Sequence, residues 1–289
     1  MSKPLVTVAI SFYNNQDTLK EAIQSVLNQT FADWELILID DGSTDNSLKV
    51  ANTYSSDRVT VITDGTNRGF VARLNQSVKL AAGSYYARMD ADDIMHPERL
   101  MHQVHYLLEH PDIDAVDTNM YVMDQAGRLT GIRSAPAPHA WTLKAILHGQ
   151  NLNHATVMGR IDWFKSNFYD PLFIRAEDIE LWCRAVSHSK FARLDKCLYF
   201  VREGKINVNN YRIAQSTLRR IYRMYGPGEV SWFQILLLLL KSHAKSTLYV
   251  IMGALGLQEV LTTQRNTDMS SATLLEAQQY LAKALAERL

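Results

Sequence analysis

The sequence of 289 residues predicts an α/β protein with a doubly wound sheet, followed by a helical C-terminal extension. Two observations support this fold class. Over residues 1–95, short segments rich in β-branched and apolar residues alternate with amphipathic segments, which is the order of a sheet with right-handed crossovers. Beyond about residue 212 the apolar periodicity is helical only.

The first strand is predicted at Val6–Ile10, because it is apolar and β-branched and runs into the turn-forming segment 11–14. A helix should follow, since Thr18 and Glu21 have the spacing of a capping box. The next elements are predicted as strand Trp34–Ile39, helix Ser43–Tyr54, strand Val59–Ile62, helix Val71–Ala82 and strand Tyr85–Met89.

The remaining chain is less regular. A helix is expected at Glu98–Glu109, and short strands mixed with loops from Ala115 to about Tyr211. Helices are then predicted at Ile213–Tyr225, Val230–Leu261 and Ala272–Leu289, with a break at Gly226–Gly228.

Composition excludes several classes of protein. Thirty basic residues balance thirty acidic ones, which argues against a chain built mainly to bind nucleic acid. The two cysteines, Cys183 and Cys197, are too few for a disulfide framework or a zinc site, and they favour a reducing compartment. No cleavable signal peptide is expected from the first residues.

Polar clusters follow three of the predicted strands, at 11–14, 40–45 and 90–93. In doubly wound sheets, ligands bind beyond the carboxyl ends of the strands. Asp90, Asp92 and Asp93 offer oxygen ligands that suit Mg²⁺ or Mn²⁺, and in extended chain Asp90 and Asp92 project to the same side. A solvated acidic turn before Pro97 would give the same pattern, so this motif alone leaves both interpretations open.

Several segments together resemble the family-2 glycosyltransferases, which have the GT-A fold. They are 6–14, 39–45, 67–69 with 73–75, 89–93, and 176–184, in the order and approximate spacing of that family. The resemblance implies an inverting transferase that moves a sugar from a nucleoside-diphosphate sugar to an acceptor hydroxyl, with Mn²⁺ or Mg²⁺ as cofactor. It also implies a catalytic domain at 1–211, with a nucleotide-binding part to about 95 and an acceptor part at 96–211, before the extension at 212–289.

The resemblance assigns roles around the donor. Ser11, Tyr13 and Asp41 would contact the nucleotide, with Tyr13 stacking on the base. Asp90 would hold the ribose or the metal, and Asp92 would ligate the metal. The remaining two residues are Arg73, which either turns toward the site or forms a structural salt bridge, and Asp93, a supporting carboxylate.

On the acceptor side, Asp178 matches the family's general base. A sugar hydroxyl is a poor nucleophile, so a carboxylate must take its proton during attack. Glu177 is either a supporting partner or a helix N-terminal charge, and Trp182 either lines the acceptor site or packs in the core. His154 stands where related enzymes place an acceptor-facing residue, although a lone histidine is usually structural.

One departure concerns the metal site. Many family members have a histidine shortly after the last core strand, and segment 199–205 has none. Either Glu203 or water would therefore fill that place, or the coordination differs from that of the family.

The sequence does not determine whether the C-terminal extension contacts a membrane or protein. Its apolar blocks at 232–240 and 248–257, interrupted by Lys241, His243 and Lys245, are each shorter than the about 18 to 20 residues that span a bilayer, so no spanning helix is expected. Six Lys or Arg against one Glu between Arg212 and Lys245 suit an interfacial helix on anionic lipid. A hairpin packed on the catalytic domain or on a second copy is the alternative.

Contact with lipid would fit an acceptor carried on a lipid diphosphate, as in bacterial surface-polysaccharide assembly, at the cytoplasmic face of the inner membrane. Two rival functions remain. A sugar-nucleotide pyrophosphorylase would need a Gly-rich phosphate loop after strand one, and Ser11–Asn15 has no glycine. A non-catalytic sugar-nucleotide binding protein would not need Asp178.

Overall fold

The computed structural model describes residues 3–204, 207–256 and 266–287. The strands are β1 (Val6–Phe12), β2 (Trp34–Asp40), β3 (Val59–Ile62), β4 (Tyr85–Asp90), β5 (Ile94–Met95), β6 (Ala115–Met123), β7 (Leu129–Arg133), β8 (Met158–Arg160) and β9 (Phe191–Arg202). The α-helices are α1 (Leu19–Leu27), α2 (Ser47–Asn52), α3 (Phe70–Leu80), α4 (Arg99–Glu109), α5 (Leu143–Leu147), α6 (Ile161–Ser166), α7 (Glu177–Ala185), α8 (Val208–Tyr225), α9 (Trp232–Ala254) and α10 (Ser271–Leu285).

The strands form one mixed sheet in the order β3-β2-β1-β4-β8-β6-β9-β5, with β7 paired to β6. The first four strands in this order are parallel, and β8 is antiparallel to both of its neighbours. Because β1, β2 and β4 are parallel neighbours, the segments that follow them meet at one edge of the sheet.

Helices cover both faces of the sheet. Apolar residues of α1, α2 and α4 are buried in one core cluster, and those of α3, α5, α6, α7 and α8 in a second. The predicted α/β, doubly wound architecture is therefore confirmed.

The predicted capping box at the start of α1 is wrong. The Thr18 hydroxyl donates to the carbonyl of Ala91 at 3.1 Å and caps no helix N–H. Glu21 accepts a hydrogen bond from the Arg202 guanidinium at 2.5 Å. Thr18 thus connects α1 to the acidic turn after β4, and Glu21 connects α1 to the end of β9.

Three other boundaries differ from expectation. Helix α2 begins at Ser47 rather than Ser43, because Asp45 accepts the N–H of Ser47 at 2.8 Å and Ser43 is drawn toward the β1 turn. Helix α8 begins at Val208, where the Asn207 side chain accepts the N–H of Asn210 at 3.0 Å. Strand β9, in the region expected to hold only short strands, has 12 residues.

The C-terminal part contains one long exposed helix and one packed helix. The first apolar block and residues 248–254 of the second belong to a single helix, α9, of 23 residues with a mean hydropathy of 1.4 over an 18-residue window that is 11% buried. By length and composition the whole helix could cross a membrane, although neither apolar block is long enough by itself.

Helix α10 packs back on the sheet, where Ala277 and Ala284 are buried against strands β5, β6 and β9. Its end is fixed to α1, since the Gln24 side chain donates to the carbonyl of Ala286 at 3.0 Å. The parts of the predicted helices at 257–261 and 288–289 lie outside the described residues.

Candidate active site

A cavity of about 810 Å³ lies beyond the carboxyl ends of β1, β2 and β4. Nine of the side chains singled out in the sequence line it: Ser11, Tyr13, Asp41, Arg73, Asp90, Asp92, His154, Glu177 and Asp178. Two others, Asp93 and Trp182, lie behind its wall and do not line it. The fold therefore brings Asp92 and Asp178, which are far apart in the chain, to the same cavity.

The end of β1 supplies an open aromatic ring and an unpaired hydroxyl. Tyr13 is 46% exposed, so it is not a core residue. The Ser11 hydroxyl is buried and has no hydrogen-bond partner among the described residues. A buried polar group without a partner is costly, which makes this hydroxyl available to a ligand.

The turns after β1 and β2 are tied together by Asn14, whose backbone has φ of 54°. Its side-chain oxygen accepts the N–H groups of Thr44 at 2.8 Å and Asp45 at 3.3 Å, while its own N–H donates to the Ser43 hydroxyl at 3.1 Å. Ser43 therefore supports this loop and does not cap α2.

The carboxylate of Asp41 is hydrogen-bonded to other residues of the fold. Its carboxylate accepts the N–H groups of Arg68 at 2.7 Å and Gly69 at 3.1 Å, and the Arg73 Nε at 2.8 Å. Gly42 brings the two loops together: its φ is 74°, and a Cβ there would lie 2.7 Å from the backbone N of Asn67. A side chain would not fit at this position.

Arg73 is a structural residue. It is 1% exposed, and its other nitrogens donate to Asp64, Gln76 and the carbonyl of Thr66. These bonds raise the pKa of Arg73, led by the hydrogen bonds that it donates to Asp64, and the same bonds lower the pKa of Asp64. Of the two alternatives for Arg73, the structure supports the salt bridge.

The acidic turn after β4 is anchored by β9. The backbone N–H of Arg202 donates to Asp93 at 2.7 Å, and its Nε donates to the carbonyl of Asp92 at 2.9 Å. The N–H of Asp90 donates to the Tyr199 hydroxyl at 3.1 Å. Asp93, at 2% exposure, is thus a supporting carboxylate.

Negative charge accumulates at this turn. Burial, followed by the nearby charge of Asp90, raises the pKa of Asp92 to about 6. Burial and the charges of Asp90 and Asp92 also raise the pKa of Asp93. A cation would relieve this repulsion.

Two carboxylates, Asp90 and Asp92, face the cavity from this turn. Among the described residues, no group of three or more His, Cys, Asp or Glu side chains is arranged to hold a metal ion. Mg²⁺ is commonly held by one or two carboxylates together with substrate phosphates. The donor set therefore fits a cation that is bound together with a diphosphate.

Glu203 does not supply a further ligand. Its carboxylate pairs with the Arg133 guanidinium and accepts the Asn266 side-chain N–H at 2.9 Å. It does not line the cavity. The suggestion that Glu203 replaces the missing histidine is therefore not supported.

Two further carboxylates enter the cavity at the first turn of α7. Burial, then the neighbouring charge of Asp178, raises the pKa of Glu177 to about 7, and burial also raises the pKa of Asp178. The Arg88 guanidinium opposes both shifts. A carboxylate with a raised pKa in a cleft is typical of a catalytic base.

His154 lies in a 3-10 turn, His154–Thr156, at the wall of the cavity. Its Nε2 is 2.8 Å from the Tyr169 hydroxyl, and burial, followed by the charge of Arg88, holds its pKa well below the usual range. A neutral imidazole in this position can contact a sugar but carries no charge.

Trp182 is fully buried and stacks at 6.0 Å between ring centroids on Trp163. It lies behind His154, at 6.3 Å between centroids. The acceptor-facing alternative for Trp182 is therefore wrong, and the core alternative holds.

Sequence reasoning missed two positively charged side chains of the cavity, Arg88 and Arg175. Arg88 is 5% exposed and pairs with Asp90 two residues along β4, a spacing that places both on one face of the strand. Arg175 is exposed, lines the cavity and has φ of 67°, which is rare for a residue with a side chain. No sequence signal marks this backbone conformation, whereas the Arg88–Asp90 spacing could have been recognised.

Comparison with proteins of known sequence identifies relatives over most of the chain. EpsE of Bacillus subtilis (strain 168) is 38% identical over 209 residues, which are 70% of this chain and 74% of EpsE. WfaP of Escherichia coli, a UDP-Glc:alpha-D-GlcNAc-diphosphoundecaprenol beta-1,3-glucosyltransferase, is 29% identical over 72% of this chain and 82% of its own.

Solved structures agree in fold. TarS (residues 1–349) of S. aureus in complex with UDP-GlcNAc superimposes with a TM-score of 0.61 at 19% identity, over 82% of this chain and 71% of that one. The mannosyltransferase PcManGT of Pyrobaculum calidifontis, in complex with GDP-Man and Mn²⁺, gives 0.60 at 15% identity over 98% and 81%. The family model "Glycosyl transferase family 2" matches residues 7–170, and the chain belongs to this family and is a glycosyltransferase.

Proposed function

We propose that this glycosyltransferase moves a hexose from a UDP-sugar to a hydroxyl of a lipid-diphosphate-linked saccharide, with inversion at the anomeric carbon. One observation carries the proposal: Asp92, from the turn after β4, and Asp178, from the start of α7, line one cavity. Tyr13, which follows β1, lines the same cavity. That arrangement provides for a leaving diphosphate and an incoming hydroxyl in the same space.

The donor half of the site is the edge formed by β1, β2 and β4. The exposed ring of Tyr13 offers a surface on which a nucleobase can stack, and the unpaired Ser11 hydroxyl offers a hydrogen bond. Asp41 acts with Arg73 by fixing loop 67–69 against the nucleotide side of the cavity.

Asp90 and Asp92 would hold Mn²⁺ or Mg²⁺ together with the donor's diphosphate. When bound, such a cation neutralises charge that develops on the departing diphosphate. Arg88, which also lines the cavity, keeps Asp90 in place by pairing with it.

Asp178 would act as the general base. Its carboxylate takes the proton of the acceptor hydroxyl while that oxygen attacks the anomeric carbon, and the bond to the diphosphate breaks on the opposite side. Direct displacement of this kind inverts the anomeric carbon. Glu177, whose pKa is raised to about 7 by burial and by the charge of Asp178, lies next to the base in the same helical turn.

The substrate classes are supported by relatives. WfaP and WfgD of Escherichia coli are named for a UDP-Glc donor and a GlcNAc-diphosphoundecaprenol acceptor. The fold relative TarS was solved with UDP and with UDP-GlcNAc. We further propose that the reaction takes place at the cytoplasmic face of a membrane, where nucleotide sugars and a lipid-linked acceptor meet.

The proposal is tested by incubating the protein with a panel of UDP-hexoses, Mn²⁺ and a synthetic lipid-diphosphate-linked GlcNAc. The product's anomeric configuration is then read from the ¹H NMR coupling constant. We expect transfer from at least one UDP-hexose with inverted configuration, and loss of transfer in Asp92→Ala. A product that retains the donor's configuration would contradict direct displacement.

A further inference from the structure

A groove lies between α8 and α9, outside the cavity that Asp92 and Asp178 line. It has a volume of about 620 Å³ and is lined by side chains of both helices, among them Arg212, Arg219, His243, Ser246, Val250 and Ile251. None of the described residues that line it is acidic. The two cavities share no lining residue.

The groove is a built structure between two packed helices. Arg219 crosses it and donates to the hydroxyls of Ser242 at 3.1 Å and Ser246 at 3.3 Å. Ser242 in turn donates to the Gln215 side chain at 2.8 Å, and both are buried. Arg212, about two turns nearer the start of α8 than Arg219, is exposed and lines the groove.

The groove opens on the apolar side of α9. Trp232, Leu236, Leu240, His243 and Thr247 follow one another every three or four residues and so share one face of the helix. On this face Trp232 is 76% exposed and Leu240 is 55% exposed. Lys241 and Lys245, by the same spacing, lie on the opposite face.

A basic groove beside an exposed apolar helix face matches the chemistry of a membrane lipid, which joins an anionic headgroup to an apolar tail. The middle of α9 carries Lys241, His243 and Lys245, and charges at a bilayer centre are expensive. Together with the packing of α9 along α8, this favours a helix that lies in the interface over one that spans the bilayer.

We propose that the α8/α9 groove binds the phosphate headgroup of an anionic phospholipid, with the apolar face of α9 inserted among the acyl chains. The acceptor's own diphosphate is a poorer occupant. The acceptor's diphosphate must lie within a sugar's length of the cavity that Asp92 and Asp178 line. The part of α8 that contacts the rim of that cavity is not part of the groove: Thr217 donates to the carbonyl of Ile174 at 2.8 Å. This inference does not depend on the proposed transfer reaction.

The experiment is co-sedimentation of the full chain with vesicles of phosphatidylcholine, with and without about 30 mol% of the anionic lipid phosphatidylglycerol. The variants Arg212→Ala and Lys245→Ala remove one positive charge each from exposed positions on adjacent helices. Surface charges contribute about 1 kcal/mol each to binding of anionic membranes. We expect phosphatidylglycerol-dependent binding, weakened about five- to tenfold in Arg212→Ala and less than about twofold in Lys245→Ala.

Equal weakening by the two variants would show diffuse attraction without a headgroup site and would overturn the proposal. Binding that requires a polyprenyl diphosphate in the vesicles, and is indifferent to phosphatidylglycerol, would overturn it in favour of the acceptor. Circular dichroism and UDP affinity, which should equal those of the wild type in both variants, show that a loss is not due to misfolding.

Discussion

Two groups of carboxylates line the same cavity and differ in what surrounds them. Asp41 is bonded by two backbone N–H groups and by a buried guanidinium. Asp92 and Asp178 form no ion pair with any residue that the structure describes, and burial raises the pKa of both. All three would look alike in a list of acidic residues at strand and helix ends.

The difference separates structural from chemical roles. A buried charge costs free energy unless it is paired, and the two backbone N–H groups and Arg73 provide that pairing for Asp41 within the fold. Burial disfavours the ionised forms of Asp92 and Asp178, and each can gain a partner from outside: a cation for Asp92, the proton of a hydroxyl for Asp178. Carboxylates with a raised pKa and no ion pair among the described residues therefore mark the reacting part of the cavity.

The largest effect is expected at Asp178. Asp178→Asn removes the proton acceptor and keeps the shape, so transfer should slow about 10³-fold, within the range of general-base catalysis. UDP affinity should stay within about twofold of the wild type, because the side chain acts after donor binding. Steady-state kinetics and calorimetry measure the two quantities.

Glu177→Gln is the matched control for Asp178, since it changes the adjacent carboxylate in the same helical turn. It should slow transfer only about tenfold, because it alters the charge near the base but leaves the base in place. A larger loss in Glu177→Gln than in Asp178→Asn would move the base to Glu177.

Removing the buried partner of Asp41 should lower the stability of the fold. Arg73→Met leaves Asp41 buried with one fewer partner, which is expected to lower the free energy of unfolding by about 3 to 5 kcal/mol. Urea denaturation at neutral pH measures it. Arg68→Met is the matched control, because Arg68 forms an exposed ion pair with Asp64, which is also a partner of Arg73. It should lower the free energy of unfolding much less. Equal effects would show that Arg73 is not the structural partner of Asp41.

The smallest effect is a pH dependence of stability at Asp92. Its pKa is raised from 3.8 to about 6 in the folded chain. Between these values the folded state binds more protons than the unfolded state, so stability falls as pH rises from about 4 to about 6. Asp92→Asn should remove part of this fall and be more stable than the wild type at pH 7 by about 1 kcal/mol.

Thermal unfolding at pH 4 and pH 7, without added divalent cation, checks the Asp92 prediction. The wild type and Asp92→Asn should converge at pH 4. A variant that is less stable than the wild type at pH 7 would show that Asp92 is already paired inside the protein.

Sequence patterns predicted the fold and the meeting of the strand ends, because strand periodicity and chain order determine which loops share a sheet edge. They did not show which carboxylates are bonded internally. The bonds of Asp41 come from the backbone of loop 67–69, whose path depends on the positive φ of Gly42 and Gly69. Such loop geometry leaves little trace in a single sequence.

Helix faces and helix ends were harder still. The burial of Trp182 depends on how α7 is rotated against Trp163 and Phe191, which spacing alone does not determine. The predicted helix at 230–261 is observed as α9, which the capping box of Ser231 with Gln234 starts at Trp232. Because Lys241, His243 and Lys245 interrupt its hydropathy, its two apolar blocks were judged separately, although the whole helix is long and apolar enough to cross a membrane. The position of α8 against α9 then produces a groove that neither helix predicts by itself.

The central claim is that Asp92 binds a divalent cation together with the donor's diphosphate. Its most direct test is calorimetric titration of UDP into the wild type, Asp92→Ala and Asp178→Asn, with and without Mn²⁺. We predict that Mn²⁺ strengthens UDP binding at least about tenfold in the wild type and in Asp178→Asn, and does not in Asp92→Ala. Mn²⁺-dependent UDP binding that is unchanged in Asp92→Ala would contradict the role given to this carboxylate.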